Sequence, residues 1–232
     1  TGPIPSEFGV LPNLESLSVK DNYLNGTIPT ALASSPTWTQ LLLKGNCLSG
    51  TIPVQIMTYL QGASFSDNKF TVTLPINWAS NSSMMYLYFS GNEFTGTIPS
   101  EYGLLTNLIY FQVNSNQLVG SIPSNFGNLG NLVLFKVSDN HLNGTIPVGL
   151  GSLSSLEFCH MDNNEFTGQI PTSMYHWNAV QYLDISKNGL SGPIELLNLT
   201  SLLSLELNDN ELTGTIPSVL SDTVGSFNFA YN

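Results

Sequence analysis

The sequence predicts an α/β solenoid, a stack of about ten rungs of 22–24 residues, and three observations carry that expectation. Prolines or their equivalents stand at Pro5, Pro29, Pro53, Pro75, Pro99, Pro123, Pro147, Pro171, Glu195 and Pro217, spaced by 24 residues except for two steps of 22. The phrase apolar-x-x-apolar-x-apolar-x-x-Asn fits ten times without a gap, from LESLSVKDN ending at Asn22 to VGSFNFAYN ending at Asn232. Between these signals lies a punctuating hexapeptide, and one form of it, LNGTIP, recurs unchanged at residues 24–29 and 142–147. Self-similarity at such a period marks units that bury their apolar side only by stacking on their neighbours.

Each element of the rung follows from its residue types. Alternating apolar residues such as Leu17 and Val19 turn to one side of a short strand, and stacking pairs these strands into a parallel sheet with rungs about 4.8 Å apart. The remainder of the repeat supplies the dozen or more residues that a parallel crossover requires. The Asn that closes each phrase is expected to turn inward and bond backbone groups released at the bend, giving a buried structural column of ten. Gly26 then permits a tight backbone conformation, Ile28 enters the core, and Pro29 ends strand pairing and starts a short helical turn. Three residues after the proline, Phe8, Leu32, Ile56, Trp78, Phe126 and Leu150 are expected to pack that turn against the core.

The hexapeptide Leu-x-Gly-x-Ile-Pro, set beside the Asn-ended phrase, resembles the plant-type extracellular leucine-rich repeat family, and the resemblance covers the whole chain. It implies a right-handed superhelix with a parallel concave β-sheet, short convex 3-10 turns and a second strand along one flank. Two departures, Val72 for Gly in FTVTLP and Glu195 for Pro in LSGPIE, predict local distortion. Paired cap cysteines, usual in the family, are absent, so residues 1–232 are expected to be one solenoid domain, a segment of a longer protein without its caps.

Composition excludes several classes. Sixteen acids against five lysines and no arginine give a net charge of -11, which argues against nucleic acid and anionic membrane partners. No apolar run approaches the roughly 18 residues of a spanning helix, so no membrane contact is expected within this segment, and no signal peptide is expected in it because Thr1 already sits inside a repeat. Cys47 and Cys159 lie five rungs apart, about 24 Å at strand spacing, too far to form a disulfide. Neither has a Cys or His partner at metal-ligand spacing, and no cofactor or metal is expected. Glycan acceptors occur at Asn25, Asn81, Asn143 and Asn198, which with the family resemblance points to an extracellular or cell-surface glycoprotein.

The residues between the inward pair face solvent, because only one side of this sheet is covered. The first outward column carries Tyr86, Tyr110, Leu134, Phe158 and Tyr182 on five consecutive rungs, and the second carries Tyr88, Gln112, Lys136, His160 and Asp184. Exposed aromatics beside polar groups make a contact surface, although aromatics also stack along a sheet simply to stabilise it. Lys20 and Lys44 stand at the first two rungs and Asp162, Asp184, Glu206 and Asp209 crowd the last four, a gradient able to orient a dipolar partner. His160 with Asp162 and Asp184 invites an enzymatic or metal reading, with a His160–Asp184 ion pair expected, but a third reactive member and a water-excluding pocket are missing. His141 and His176 lie off the sheet without an evident partner.

The leading expectation is therefore a noncatalytic recognition module whose concave face binds a protein, peptide or carbohydrate, in the manner that the resemblance implies for receptor ectodomains and secreted inhibitors. Tyr86, Tyr88, Tyr110, Gln112, Lys136, Phe158, His160, Asp162, Tyr182 and Asp184 are the candidate contacts. Family receptors that grip a free carboxylate use an arginine pair, which this chain lacks. The alternative is an ice-binding or cell-surface structural protein that uses flanking Thr-x-Thr ranks, Thr27, Thr51, Thr73, Thr97 and Thr145 among them, interrupted by Gln169 and Pro193.

Overall fold

A computed structural model of the chain describes residues 1–34, 37–57, 60–76, 78, 81–194, 199–215 and 225–232. Ten three-residue strands, from Ser16–Ser18 to Ser226–Asn228, pair in chain order into one parallel sheet and define rungs 1 to 10. The register is that of the repeat: Tyr86 pairs with Tyr110, Tyr110 with Leu134, Leu134 with Phe158 and Phe158 with Tyr182. On rungs 1 to 9 the middle residue of each strand is buried, Leu41, Leu87, Phe111, Phe135 and Leu205 completely, whereas Phe227 on the last rung is 45% exposed. At the centre of the ladder aromatic side chains fill the core, with Phe65 stacked on Phe89 at 5.5 Å and Phe70 on Phe94 at 5.9 Å.

The Asn column ties rung to rung. Asn140 donates from Nδ2 to Val137 O, Ser138 O and, across to the preceding rung, Val113 O, while its Oδ1 accepts from Leu118 N–H at 3.0 Å. Asn46, Asn92, Asn116 and Asn210 repeat the pattern. Of the ten asparagines expected to be buried, five are (Asn46, Asn92, Asn116, Asn140 and Asn210), whereas Asn68, Asn164 and Asn188 are half-buried and the terminal Asn22 and Asn232 are exposed. The residue before each Asn lies in the left-handed region, for example Asp139 at φ 53° and Lys187 at φ 52°, which turns the chain out of the strand.

Prolines start the convex turns as expected: Pro99 and Pro123, with ψ near 131–132°, precede 3-10 helices at Ser100–Leu104 and Ser124–Asn128. The six turn residues predicted to anchor these segments are buried, apart from half-buried Phe8. The flank strand forms a five-stranded sheet from Val119–Gly120 to Glu211–Thr213 and a two-stranded one at Asn25–Gly26 and Cys47–Leu48. Around Val72 it thins to the isolated bridges Ser49–Lys69 and Thr73–Thr95, the distortion that the missing glycine predicts. Glu195 and Asn198 lie outside the described residues.

Candidate functional site

The solvent side of the ten-stranded sheet brings all ten candidate contact residues onto one face. Its aromatic stripe is two ring pairs separated by Leu134. Tyr86 and Tyr110 lie 5.4 Å apart at 34°, and Phe158 and Tyr182 stack at 5.3 Å and 10°. The rings therefore cover one another, and Tyr86, Tyr110, Leu134 and Phe158 are half-buried where full exposure was expected. Tyr86 also leans back over Gly62, its Cδ2 standing 3.2 Å from where a Cβ on that glycine would be. Tyr182 alone of the five counts as exposed, at 38%. Its next neighbour in register is Ser204, which offers no ring to cover it.

Beside this stripe, Tyr88 faces Lys20, Lys44, Ser64, Ser66 and Gln112 around a hollow of about 210 Å³. Burial, followed by the neighbouring Tyr110 and Tyr86, pushes the Tyr88 phenol up to about 12, so it remains a hydrogen-bond donor. Lys44 is held 3.5 Å from Asp67 in an exposed ion pair, which neutralises much of the basic end of the face.

At the other end, His160, Asp162 and Asp184 converge so that one ligand atom from each lies within 4.8 Å of the others. Ser138, itself buried, donates its hydroxyl to Asp162 Oδ1, and Ser186 donates both its hydroxyl and its N–H to Asp184 Oδ1. Burial and the nearby Asp184 carboxylate raise the pKa of Asp162, against the lowering pull of the Ser138 hydroxyl. Burial, then the charge of Lys136, lowers that of His160, so its imidazole is neutral at pH 7. The expected His160–Asp184 ion pair is not formed among the described residues, and the imidazole, its pKa lowered by burial, brings no charge to one at pH 7. Conversely His141 does have a partner: its Nδ1 lies 3.3 Å from Glu165 Oε1, a residue 24 positions on and therefore in the same column of the next rung.

One feature of the face is not among the candidate residues. A groove of about 640 Å³ runs along the strand-start edge, floored by Met85, Ile109 and Val133 and walled by Asn107, Asn131, Ser83 and Ser155. The signal was available, because the column one residue before each strand reads Thr39, Gln61, Met85, Ile109, Val133, Glu157, apolar on three consecutive rungs.

Among the glycan acceptors, Asn25 and Asn143 are exposed on the flank strands. Asn81 is 3% exposed, its Nδ2 donating to Leu60 O at 2.6 Å and its Oδ1 accepting from Ser83 N–H. The nitrogen a glycan would need is thus engaged inside the fold, and the expectation at Asn81 is corrected on that ground.

This ladder, with its Asn column and 3-10 turns, is a leucine-rich repeat solenoid. Residues 13–35, 83–105, 107–129 and 201–222 match the Leucine Rich Repeat family model. Comparison with curated proteins yields no match. Among solved structures, the plant peptide hormone receptor RGFR1 in complex with RGF2 is 32% identical over the whole chain, with a TM-score of 0.97. The ectodomain of the Arabidopsis thaliana receptor kinase GASSHO1/SCHENGEN3, in complex with CASPARIAN STRIP INTEGRITY FACTOR 2, is 29% identical with a TM-score of 0.96. The chain spans only 38% and 29% of those two proteins. A plant ice-binding protein is 25% identical with a TM-score of 0.80, and the chain spans 78% of it. The chain is thus built of leucine-rich repeats and shares its fold with these plant receptor ectodomains.

Proposed function

We propose that residues 1–232 form one noncatalytic recognition unit that works outside the cell and binds an extended peptide or protein segment on the strand face. The observation that carries this reading is the continuous apolar surface made by the two ring pairs, Leu134 and the adjoining Met85–Ile109–Val133 groove, bordered by hydrogen-bonding side chains. Tyrosine suits such a surface, being large, rigid and polar at its tip. One of the similar structures is a peptide hormone receptor in complex with RGF2 and another is a membrane receptor kinase ectodomain in complex with CASPARIAN STRIP INTEGRITY FACTOR 2, which supports a peptide or protein partner. The test is selection of a displayed random peptide library on the purified chain. Enriched peptides should lose binding to the Tyr110→Ala, Phe158→Ala double variant while its melting temperature shifts little. Binding unaltered by both substitutions would make the stripe a structural stack only.

A second reading rests on the opposite flank. Threonine methyls there pack on the glycine of the next rung: a Cβ on Gly50, Gly96 or Gly120 would fall 2.8–2.9 Å from the methyl of Thr27, Thr73 or Thr97. Each threonine is thereby fixed, and the exposed rank is regular at the rung spacing, as an ice-binding surface requires. The similarity to a plant ice-binding protein supports it. Glycans on Asn25 and Asn143 would obstruct that flank, so the two readings diverge chemically. An ice-recrystallisation assay on aglycosylated protein decides: ordinary crystal growth at micromolar protein removes this reading.

A further inference from the structure

We infer that the Tyr182 end of the strand face holds an arginine side chain of the bound peptide, its guanidinium laid on the open face of the ring and forked to the carboxylates beside it. This deepens the recognition reading above and rests on it.

The placement follows from the repeat. Phe158 and Tyr182 stack along the ladder, so one face of the Tyr182 ring is taken and the other is turned toward rung 9. There the column carries Ser204, a side chain too small to fill the step, and the stack ends with Tyr182 38% exposed. A flat group about 4.8 Å further along would continue the stack over Ser204. The next column, two residues along the same strands, supplies Asp184 and Glu206, which pair in register and so flank that step. Asp162 and His160 converge on Asp184 from rung 7, the side of the ring that Phe158 covers, so the fork at the open step is left to Asp184 and Glu206.

Charge selects the occupant. On rungs 7 to 9 and the turns that follow them, Glu157, Asp162, Asp184, Glu206 and Asp209 face a single lysine, Lys187. Of the lysines on the face, Lys44 is paired with Asp67 and Lys136 stands beside His160 at rung 6, so the excess of carboxylates lies beyond it at rungs 7 to 9. Ser138 and Ser186 bind Oδ1 of Asp162 and Asp184 and hold both carboxylates in fixed orientations, while neither carboxylate is paired with a lysine. A planar cation that stacks on an aromatic face and donates in a fork matches this set, and guanidinium does both where an ammonium does neither in one plane.

The test uses small probes, so that it does not depend on the rest of the ligand. Acetyl-arginine-methylamide, its lysine analogue and its neutral isostere acetyl-citrulline-methylamide are titrated at low salt against the whole chain, followed by two-dimensional NMR. Arginine should give saturable shifts confined to rungs 7 to 9, with citrulline at least about tenfold weaker. Tyr182→Ala and the pair Asp184→Asn, Glu206→Gln should each abolish the response, with chemical shifts elsewhere showing that the variants fold. Equal response to arginine and citrulline, shifts mapping to other rungs, or no saturation would overturn the proposal. So would micromolar binding of manganese or zinc that uses the same carboxylates without an arginine response. Peptides selected on the stripe that bind regardless of Asp184 and Glu206 would sink this inference and leave the recognition reading intact. Failure to select any peptide would strike the broader reading instead.

Discussion

Asn140→Ala tests whether the ladder is held by its asparagines. The side chain is 7% exposed and makes four hydrogen bonds, accepting from Leu118 N–H and donating to the carbonyls of Val113, Val137 and Ser138. Alanine leaves a buried N–H without an acceptor, which costs about 1–3 kcal/mol, and removes the two Nδ2 hydrogens that the three carbonyls share, at about 1 kcal/mol each. The sum is roughly 3–5 kcal/mol, against about 0.5–1 kcal/mol for Asn22→Ala, because exposed Asn22 bonds only Val19 O and Lys20 O and water can replace it. Urea unfolding followed by the fluorescence of buried Trp38, Trp78 and Trp177 reads the difference, a midpoint shift on the order of 1 M or more at usual m-values. Asn140→Asp should be as damaging at pH 7, since a carboxylate would face three carbonyls, and should recover as acid protonates it. Asn140→Ala and Asn22→Ala agreeing within about 0.5 kcal/mol would refute the idea that the column sutures rungs.

Two further outcomes follow from the buried groups. Burial and Asp184 raise the Asp162 carboxyl in the folded state, so its favourable contribution is fully present below the ordinary value of 3.8 and is lost as pH rises through the raised one. Asp162→Asn, which keeps an acceptor for Ser138, should accordingly raise the melting temperature at pH 7 and lose that advantage below pH 3.8; an equal gain at both pH values would contradict the assignment. Burial also pushes the Cys159 thiol up, with Asp184 and Asp162 adding to it, whereas Cys47 is partly exposed. Ellman titration should therefore find one fast thiol in native protein and two in urea, and two fast thiols without denaturant would mean that the core at rung 7 is open.

Most of the fold could be read from the sequence because one rule repeats. In a short strand the inward positions alternate, so Leu87, Phe111 and Phe135 were assignable to the core by register alone, and all three are fully buried. Asparagine in a fixed place after an apolar pair has few physical uses besides bonding the bend, and the cross-rung pattern Asn140 to Val113 O is that use. Asn81 was misjudged because it sits in the irregular convex segment, where no alternation says which way a side chain points. Its burial is decided by a bond to Leu60 O, 21 residues away. The His141–Glu165 pair and the Met85–Ile109–Val133 groove were missed for a different reason. Both lie in columns outside the strand's own alternation, and they appear only when positions 24 residues apart are compared across rungs.

The same comparison across rungs explains why the glycines recur on the flank and why the strand face differs from it. On the flank, Gly50, Gly96, Gly120 and Gly168 sit at φ 77–79°, and the threonine of the preceding rung fills the space a side chain would need. These four positions are thus constrained from two sides, by backbone conformation and by contact, and can vary little without cost. The outward columns of the ten-stranded sheet carry no such constraint: the second runs through Ser18, Leu42, Tyr88, Lys136, His160 and Asp184 with the backbone register unchanged. The rings on rungs 4, 5, 7 and 8 and the carboxylates at rungs 7 to 9 are therefore not dictated by the backbone repeat. That freedom is why the proposed partner site falls on this face and not on the flank.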